Sequence, residues 1–280
     1  MDNGKCEHVC AGRECGEPVE GVKCGECEAG KECSMTGRCY VPGGCPEGMV
    51  KIHGKGVCID AYEATNSEYV EFLNAHGNDC FIEAYVAYVE DQSEYGCYKD
   101  IRPSSRKELV SEVDGEWEAV PGFEQYPVVD VTYVGAKLAC EWWGKELCTL
   151  EMWETACGGP DESKYPYGDD YDPCKCNFGS MDEDCYFPTE QVEVGSYPEC
   201  EGGYPGLFDM SGNVSEWVNH CDYHRVFFSK SCVRKGGGPT GPLEKTQCYD
   251  RDPMTDEPIS WAGVYASSPM RGFRCCLGLQ

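Results

Sequence analysis

The sequence predicts an irregular, loop-rich α+β domain behind a small disulfide-rich N-terminal module. Two observations carry the prediction. First, 23 cysteines in 280 residues are too many to stay as thiols, so disulfides formed in an oxidising compartment are expected. Second, helix and strand signals are short and stop near Gly158, beyond which Gly, Pro, Asp and Tyr dominate. So much irregular backbone in one domain needs staples, either cross-links or bound ions.

Residues 1–45 form the module and 46–280 the main domain. Cys6, Cys10, Cys15, Cys24, Cys27, Cys33, Cys39 and Cys45 sit among Gly, Glu and Lys with almost no aliphatic residues. Such a segment cannot bury enough apolar surface to fold unaided, and four cross-links would replace the missing core. Cys24-Gly-Glu-Cys27 has zinc-knuckle spacing, but no second pair follows at a matching interval, so disulfides are preferred to zinc. The module loosely resembles small secreted repeats of the EGF-like kind.

From Pro46 the texture changes. Thr65-Asn-Ser-Glu68 reads as a capping box, followed by Tyr69, Phe72 and Leu73 at helical spacing. Val128–Val131 reads as a short strand and Gly135–Trp143 as a helix stopped by Gly144. Thr149 is placed to cap a second helix over Leu150–Cys157, with Glu151 in its first turn.

A net charge of −27 and a pI near 4.4 disfavour nucleic acid and anionic membrane surfaces, which would repel the chain. That charge is relieved by Ca²⁺, or simply serves solubility in a salty medium. No stretch reaches the length of a transmembrane helix. The chain opens Met1-Asp2-Asn3-Gly4 with no apolar run after it, so an extracellular, periplasmic or cell-surface location is inferred from the cysteines alone. Their odd number leaves at least one unpaired or bridging to another chain.

The run Gly206-Leu-Phe-Asp-Met-Ser-Gly-Asn-Val-Ser-Glu-Trp-Val218, with Gly272-Phe-Arg-Cys275, resembles the signature of the formylglycine-generating enzymes and their sulfatase-modifying-factor relatives. Four further landmarks follow the family's order. These are Asp60-Ala-Tyr-Glu-Ala-Thr-Asn66, Pro127–Tyr133 with Gly144-Lys-Glu-Leu147, Thr149 to Glu154, and Tyr165-Pro-Tyr-Gly-Asp169. The resemblance spans about Gly48 to Leu277. It implies a compact α+β fold of C-type-lectin ancestry.

The resemblance also implies ligands and cross-links. Asn213, the carbonyl at Val214, and Glu216 match a structural Ca²⁺ site, and such hard oxygen donors suit that ion. A second Ca²⁺ set would be Asn177, the Phe178 carbonyl, Asp184 and the Tyr186 carbonyl, crowded by Cys174, Cys176 and Cys185. A disulfide between Cys157 and Cys275 is implied as well.

Family oxidases convert a substrate cysteine with Cu(I) and O₂ through two cysteines five residues apart. Two soft thiolates are what Cu(I) prefers. Here Cys248 is present, but Leu243 stands where its partner belongs. Cys248-Tyr-Asp-Arg251 matches a downstream non-catalytic motif equally well. Cys232 could approach Cys248 in space, and those two are the candidate catalytic residues if copper chemistry persists.

His220 and His224, four apart, lack a clear third metal ligand. Trp142, Trp143, Trp153 and Trp217 read as core, whereas Trp261 and Tyr265 are candidates for a contact face. The leading expectation is a secreted binding or assembly protein without the copper pair, taking a protein or glycan ligand. Self-association through the N-terminal module or an unpaired cysteine is the related structural role. The alternative is a formylglycine-generating oxidase.

Overall fold

The computed structural model describes residues 44–52, 56–76, 109–179, 185, 188–224, 229–239, 243–250, 261–263 and 270–278, with short pieces between 25 and 40. The described part of the N-terminal module contributes only a two-stranded ribbon, β1 (Glu32–Cys33) against β2 (Cys39–Tyr40).

The main domain opens with β3 (Met49–Ile52) and β4 (Val57–Asp60). Helix α1 (Asn66–His76) then starts at the expected capping box. Thr65 N–H donates to Glu68 Oε2 at 2.8 Å, and Glu68 N–H donates back to Thr65 Oγ1 at 3.3 Å. Tyr69, Phe72 and Leu73 form its buried stripe. After the ribbon β5 (Val110–Val113) and β6 (Glu116–Ala119) come α2 (Tyr133–Trp142), β7 (Glu146–Leu147) and α3 (Leu150–Gly158). Thr132 Oγ1 accepts from Gly135 N–H, and Thr149 Oγ1 accepts from Met152 N–H. Gly144 stops α2 as the sequence predicts, while α3 runs one residue past the expected Cys157 to a cap at Gly159; the two glycines take φ of 68° and 65°, the left-handed region that glycine enters freely.

The expected strand over Val128–Val131 does not form. The segment is extended and buried, and Pro127 makes an isolated bridge to Thr65. Asp130, at φ 60°, turns the chain before a ladder can grow. Val128 N–H donates to the Ala64 carbonyl beside that bridge, and the pairing goes no further, so Val129 and Val131 serve burial.

The remaining strands are β8 (Ser215–His224), β9 (Ser229–Lys235), β10 (Trp261–Gly263), β11 (Arg271–Phe273) and β12 (Cys275–Gly278). One sheet runs β10-β9-β8-β11, with β11 parallel to β8, and the other runs β3-β4-β12-β7. Arg274 alone separates β11 from β12, so it stands where the chain passes from one sheet to the other. The β8–β9 hairpin lies in the stretch read as loop. Its register shifts between Trp217 and Cys221, which breaks the period-two pattern that would have announced a strand.

Every described cysteine from residue 44 onward is disulfide-bonded: Cys45–Cys58, Cys140–Cys275, Cys148–Cys276, Cys157–Cys248, Cys174–Cys185, Cys176–Cys200 and Cys221–Cys232. Cys45 therefore ties to β4 of the main domain and is not available to an internal cross-link of the module. The implied Cys157–Cys275 bridge is also replaced. Neighbours on a strand face opposite sides, so Cys275 enters the core cluster holding Cys140, Phe273 and Trp217. Cys276 enters the other cluster, which holds Cys148, Cys157, Cys248 and Trp153. Cys157 and Cys275 thus belong to different layers. The extra cross-links expected around Cys174, Cys176 and Cys185 are present.

Candidate functional site

The two candidate catalytic cysteines lie apart in bonding. Cys232, on β9, is joined to its cross-strand partner Cys221. Cys248 follows the short turn Leu243–Thr246 and is joined to Cys157 at the end of α3. Cys232 and Cys248 are both fully buried, in different core clusters. Leu243, where the missing thiol would stand, is 43% exposed. The glycine run packs beneath the same turn. A Cβ on Gly237 would come within 2.8 Å of Thr246 Cγ2 and 3.1 Å of the Lys245 carbonyl oxygen, so the turn fills the space that a side chain would need. As disulfides, these sulfurs have no thiolate to offer Cu(I).

The motif around Asn213 builds a buried ionic centre. Gly212 and Asn213 adopt φ of 82° and 49°, turning the chain so that Glu216 and Asn213 both point inward. Arg274 grips Glu216 through Nε and Nη2 at 2.8–3.0 Å. It also donates to the carbonyls of Asp60, Ala61 and Phe208. Trp153 Nε1 donates to Glu216 Oε2 at 2.8 Å. Asn213 Nδ2 donates to Glu63, while its Oδ1 accepts from Val192 N–H at 2.9 Å. Asp209 accepts from Gly195 N–H.

The Ca²⁺ set built on Asn213, Val214 and Glu216 does not fit this arrangement. Both Glu216 oxygens are engaged by a guanidinium and an indole, and the Asn213 oxygen by an amide. A cation there would face Arg274 across the same carboxylate. Of the second set, Asn177 Oδ1 accepts from Gly179 N–H, and its Nδ2 donates to the Glu190 carbonyl at 2.9 Å. Phe178 is half-buried beside it, while Asp184 and Tyr186 lie outside the described residues. Among the described residues no group of three or more His, Cys, Asp or Glu could hold a metal ion.

Burial pushes Glu63 well above the usual carboxylate range, with repulsion from Asp209 adding to it and Arg274 opposing it. Burial raises Asp209 to about 6, while its bond from Gly195 and the Arg274 charge pull it down. The folded protein therefore holds these protons more tightly than the unfolded chain, where Asp titrates near about 3.9. Below that value both states are protonated. From there to about 6 stability falls as pH rises, and above it the whole Asp209 cost is present. Asp209 alone is expected to make the protein on the order of 2–3 kcal/mol less stable at pH 8 than at pH 4, with Glu63 extending the slope upward. Urea unfolding across that range, with Asp209→Asn flattening its lower part, checks this.

A cleft of about 550 Å³ opens between β3, β4 and α1. Glu47, Glu68 and Glu71 line it with Tyr62 and Trp143, the buried Glu63 borders it, and Lys145 is paired there with Asp60 at 2.5 Å. Trp261 lies on edge strand β10 opposite Val233, and Tyr265 lies outside the described residues. Neither Glu63 nor Asp209 stood out in the sequence. The only signal was their place in two motif segments, where Glu63 stands near Asp60 and Asp209 ahead of Glu216.

The family described as Sulfatase-modifying factor enzyme 1-like domain matches residues 16–277. The chain is 32% identical over 188 residues to the serine/threonine-protein kinase Pkn1 of Chlamydia trachomatis, covering 67% of this chain and 26% of that protein. It therefore spans about a quarter of the length of such relatives. A formylglycine-generating enzyme of Thermomonospora curvata is 27% identical over 68% of this chain and 69% of its own length. An inactive C-alpha-formylglycine-generating enzyme 2 of Bos taurus is 36% identical over 34% of this chain and 33% of its own. Among solved structures, CarF superposes with a TM-score of 0.51 at 17% identity, covering 80% of this chain and 87% of its own, which speaks for the fold alone.

Proposed function

Because this chain belongs to the sulfatase-modifying factor enzyme 1-like domain family, we propose that it uses the family's scaffold for binding or extracellular assembly and not for copper-dependent cysteine oxidation. The observation that carries this reading is the separate engagement of Cys232 and Cys248 in buried disulfides. The family includes both formylglycine-generating enzymes and relatives named inactive, so the scaffold does not dictate the chemistry. Seven disulfides among the described residues favour an oxidising location outside the cytosol. The ligand is a protein or glycan, and the carboxylate-lined cleft suits one carrying basic groups. The N-terminal module serves as spacer or self-assembly contact.

The folded protein, titrated with Cu(I) and given a cysteine-containing peptide under air, is expected to leave the peptide unmodified. Thiol labelling without denaturant should leave Cys232 and Cys248 untouched. Formylglycine in the peptide, or a label on either cysteine, overturns the reading.

A further inference from the structure

Deep in the second core cluster, three further ionisable side chains meet, next to the ionic centre through Trp153 and the Glu216–Lys235 strand pairing. Lys235 ends β9, Glu154 lies in the middle of α3, and Asp250 follows Cys248. The Lys235 side chain is wholly buried, Asp250 likewise, and Glu154 is 6% exposed. Lys235 Nζ lies 3.1 Å from Glu154 Oε1 and in direct contact with Asp250 Oδ1. The indole of Trp153 covers it, the ring centre 5.6 Å from Nζ. Asp250 Oδ2 is buried with no hydrogen-bond partner among the described residues.

As an ion pair this arrangement is poor. Lys235 meets two carboxylates in a site that excludes water, and one Asp250 oxygen has no partner among the described residues, which is costly in an apolar interior. The same geometry suits condensation. The Lys235 nitrogen is held against the Asp250 carboxylate, a second carboxylate reaches that nitrogen, and burial keeps out the water that could reverse the step.

We propose that Lys235 and Asp250 join in an intramolecular isopeptide bond, with Glu154 as the proton-transfer group. Internal proton transfer converts the ammonium–carboxylate pair to amine and carboxylic acid, the neutral forms that an apolar site favours. Lys235 Nζ attacks Asp250 Cγ, and Glu154 takes a proton from the nitrogen as the bond forms. It returns that proton to the departing hydroxyl oxygen, so one C–N bond forms, one C–O bond breaks and one water leaves. No oxidant, metal or outside reactant is required. The product amide carries no charge, and its N–H remains beside Glu154. The bond would tie the end of β9 to the segment already fixed by Cys157–Cys248.

The test is the mass of the intact protein after complete reduction and alkylation, which removes the disulfides from the comparison. The expected mass is about 18 Da below that of the sequence, the mass of the lost water. Digestion should yield a branched peptide joining the segments that carry Lys235 and Asp250. Lys235→Arg and Glu154→Gln should both restore the full mass. Lys235→Arg keeps the positive charge, so its folding can be verified alongside. Full mass in the unaltered protein, with Lys235 and Asp250 on separate linear peptides, overturns the proposal and leaves an ion pair. Loss of water that persists in Glu154→Gln overturns the role given to Glu154.

Discussion

Arg274→Ala is expected to lower the unfolding free energy by about 3–5 kcal/mol, the range for removing one partner of a buried ion pair. Arg274 is fully buried, bonds both oxygens of Glu216, and binds three carbonyls that end β4 or precede the Asn213 turn. Without it Glu216 keeps only Trp153 among these partners, and Glu63 and Asp209 lose the charge that holds their proton affinities down. The substitution therefore leaves three carboxylates in one apolar region without a cation. Glu216→Gln should cost less, because Arg274 retains its carbonyl acceptors and the attraction of Glu63 and Asp209. The loss on Arg274→Ala should also shrink in acid, since Glu63 and Asp209 can then take up protons. Denaturant unfolding at pH 5 and pH 8 measures both contrasts. Equal losses for Arg274→Ala and Glu216→Gln would mean that the single pair, and not the shared cation, sets the stability.

The contrast between Arg274 and α1 explains what the sequence could express. Thr65 and Glu68 bond within one turn, and Tyr69, Phe72 and Leu73 repeat at helical spacing, so local order alone predicts that helix. Thr149 and Gly144 are legible for the same reason. Arg274 is different, because its partner is 58 residues away and Glu63 lies farther still. The family motif marked Glu216 and Arg274 as positions but not as partners. The cysteines fall between these cases. Their number announced staples, yet whether Cys275 meets Cys140 or Cys157 depends on which face of β12 it occupies. That face follows from the pairing of β12 with β7, a contact across 128 residues. The β8–β9 hairpin was hidden by its own irregular register.

Removing the two bridges of β12 should cost more together than the sum of removing each alone. Cys140–Cys275 and Cys148–Cys276 join adjacent residues of one strand to positions that flank β7. With Cys157–Cys248 already closed, the circuit through either bridge is about 40–45 residues, which loop entropy makes worth about 4 kcal/mol. The second bridge then closes a ring of only about ten residues, worth roughly 2.5 kcal/mol. Either bridge alone keeps the longer circuit shut, so deleting one costs only about 2.5–3 kcal/mol and deleting both about 6–7 kcal/mol. The excess over additivity, about 1 kcal/mol, belongs to the shared circuit and appears in a double-mutant cycle of Cys140→Ala/Cys275→Ala and Cys148→Ala/Cys276→Ala. Strict additivity would show that the two bridges act through local packing in their separate core clusters. Each sulfur pair is buried in its own layer, so packing losses should add independently. Only the unfolded chain connects the two, and an excess is therefore the signature of its constraint.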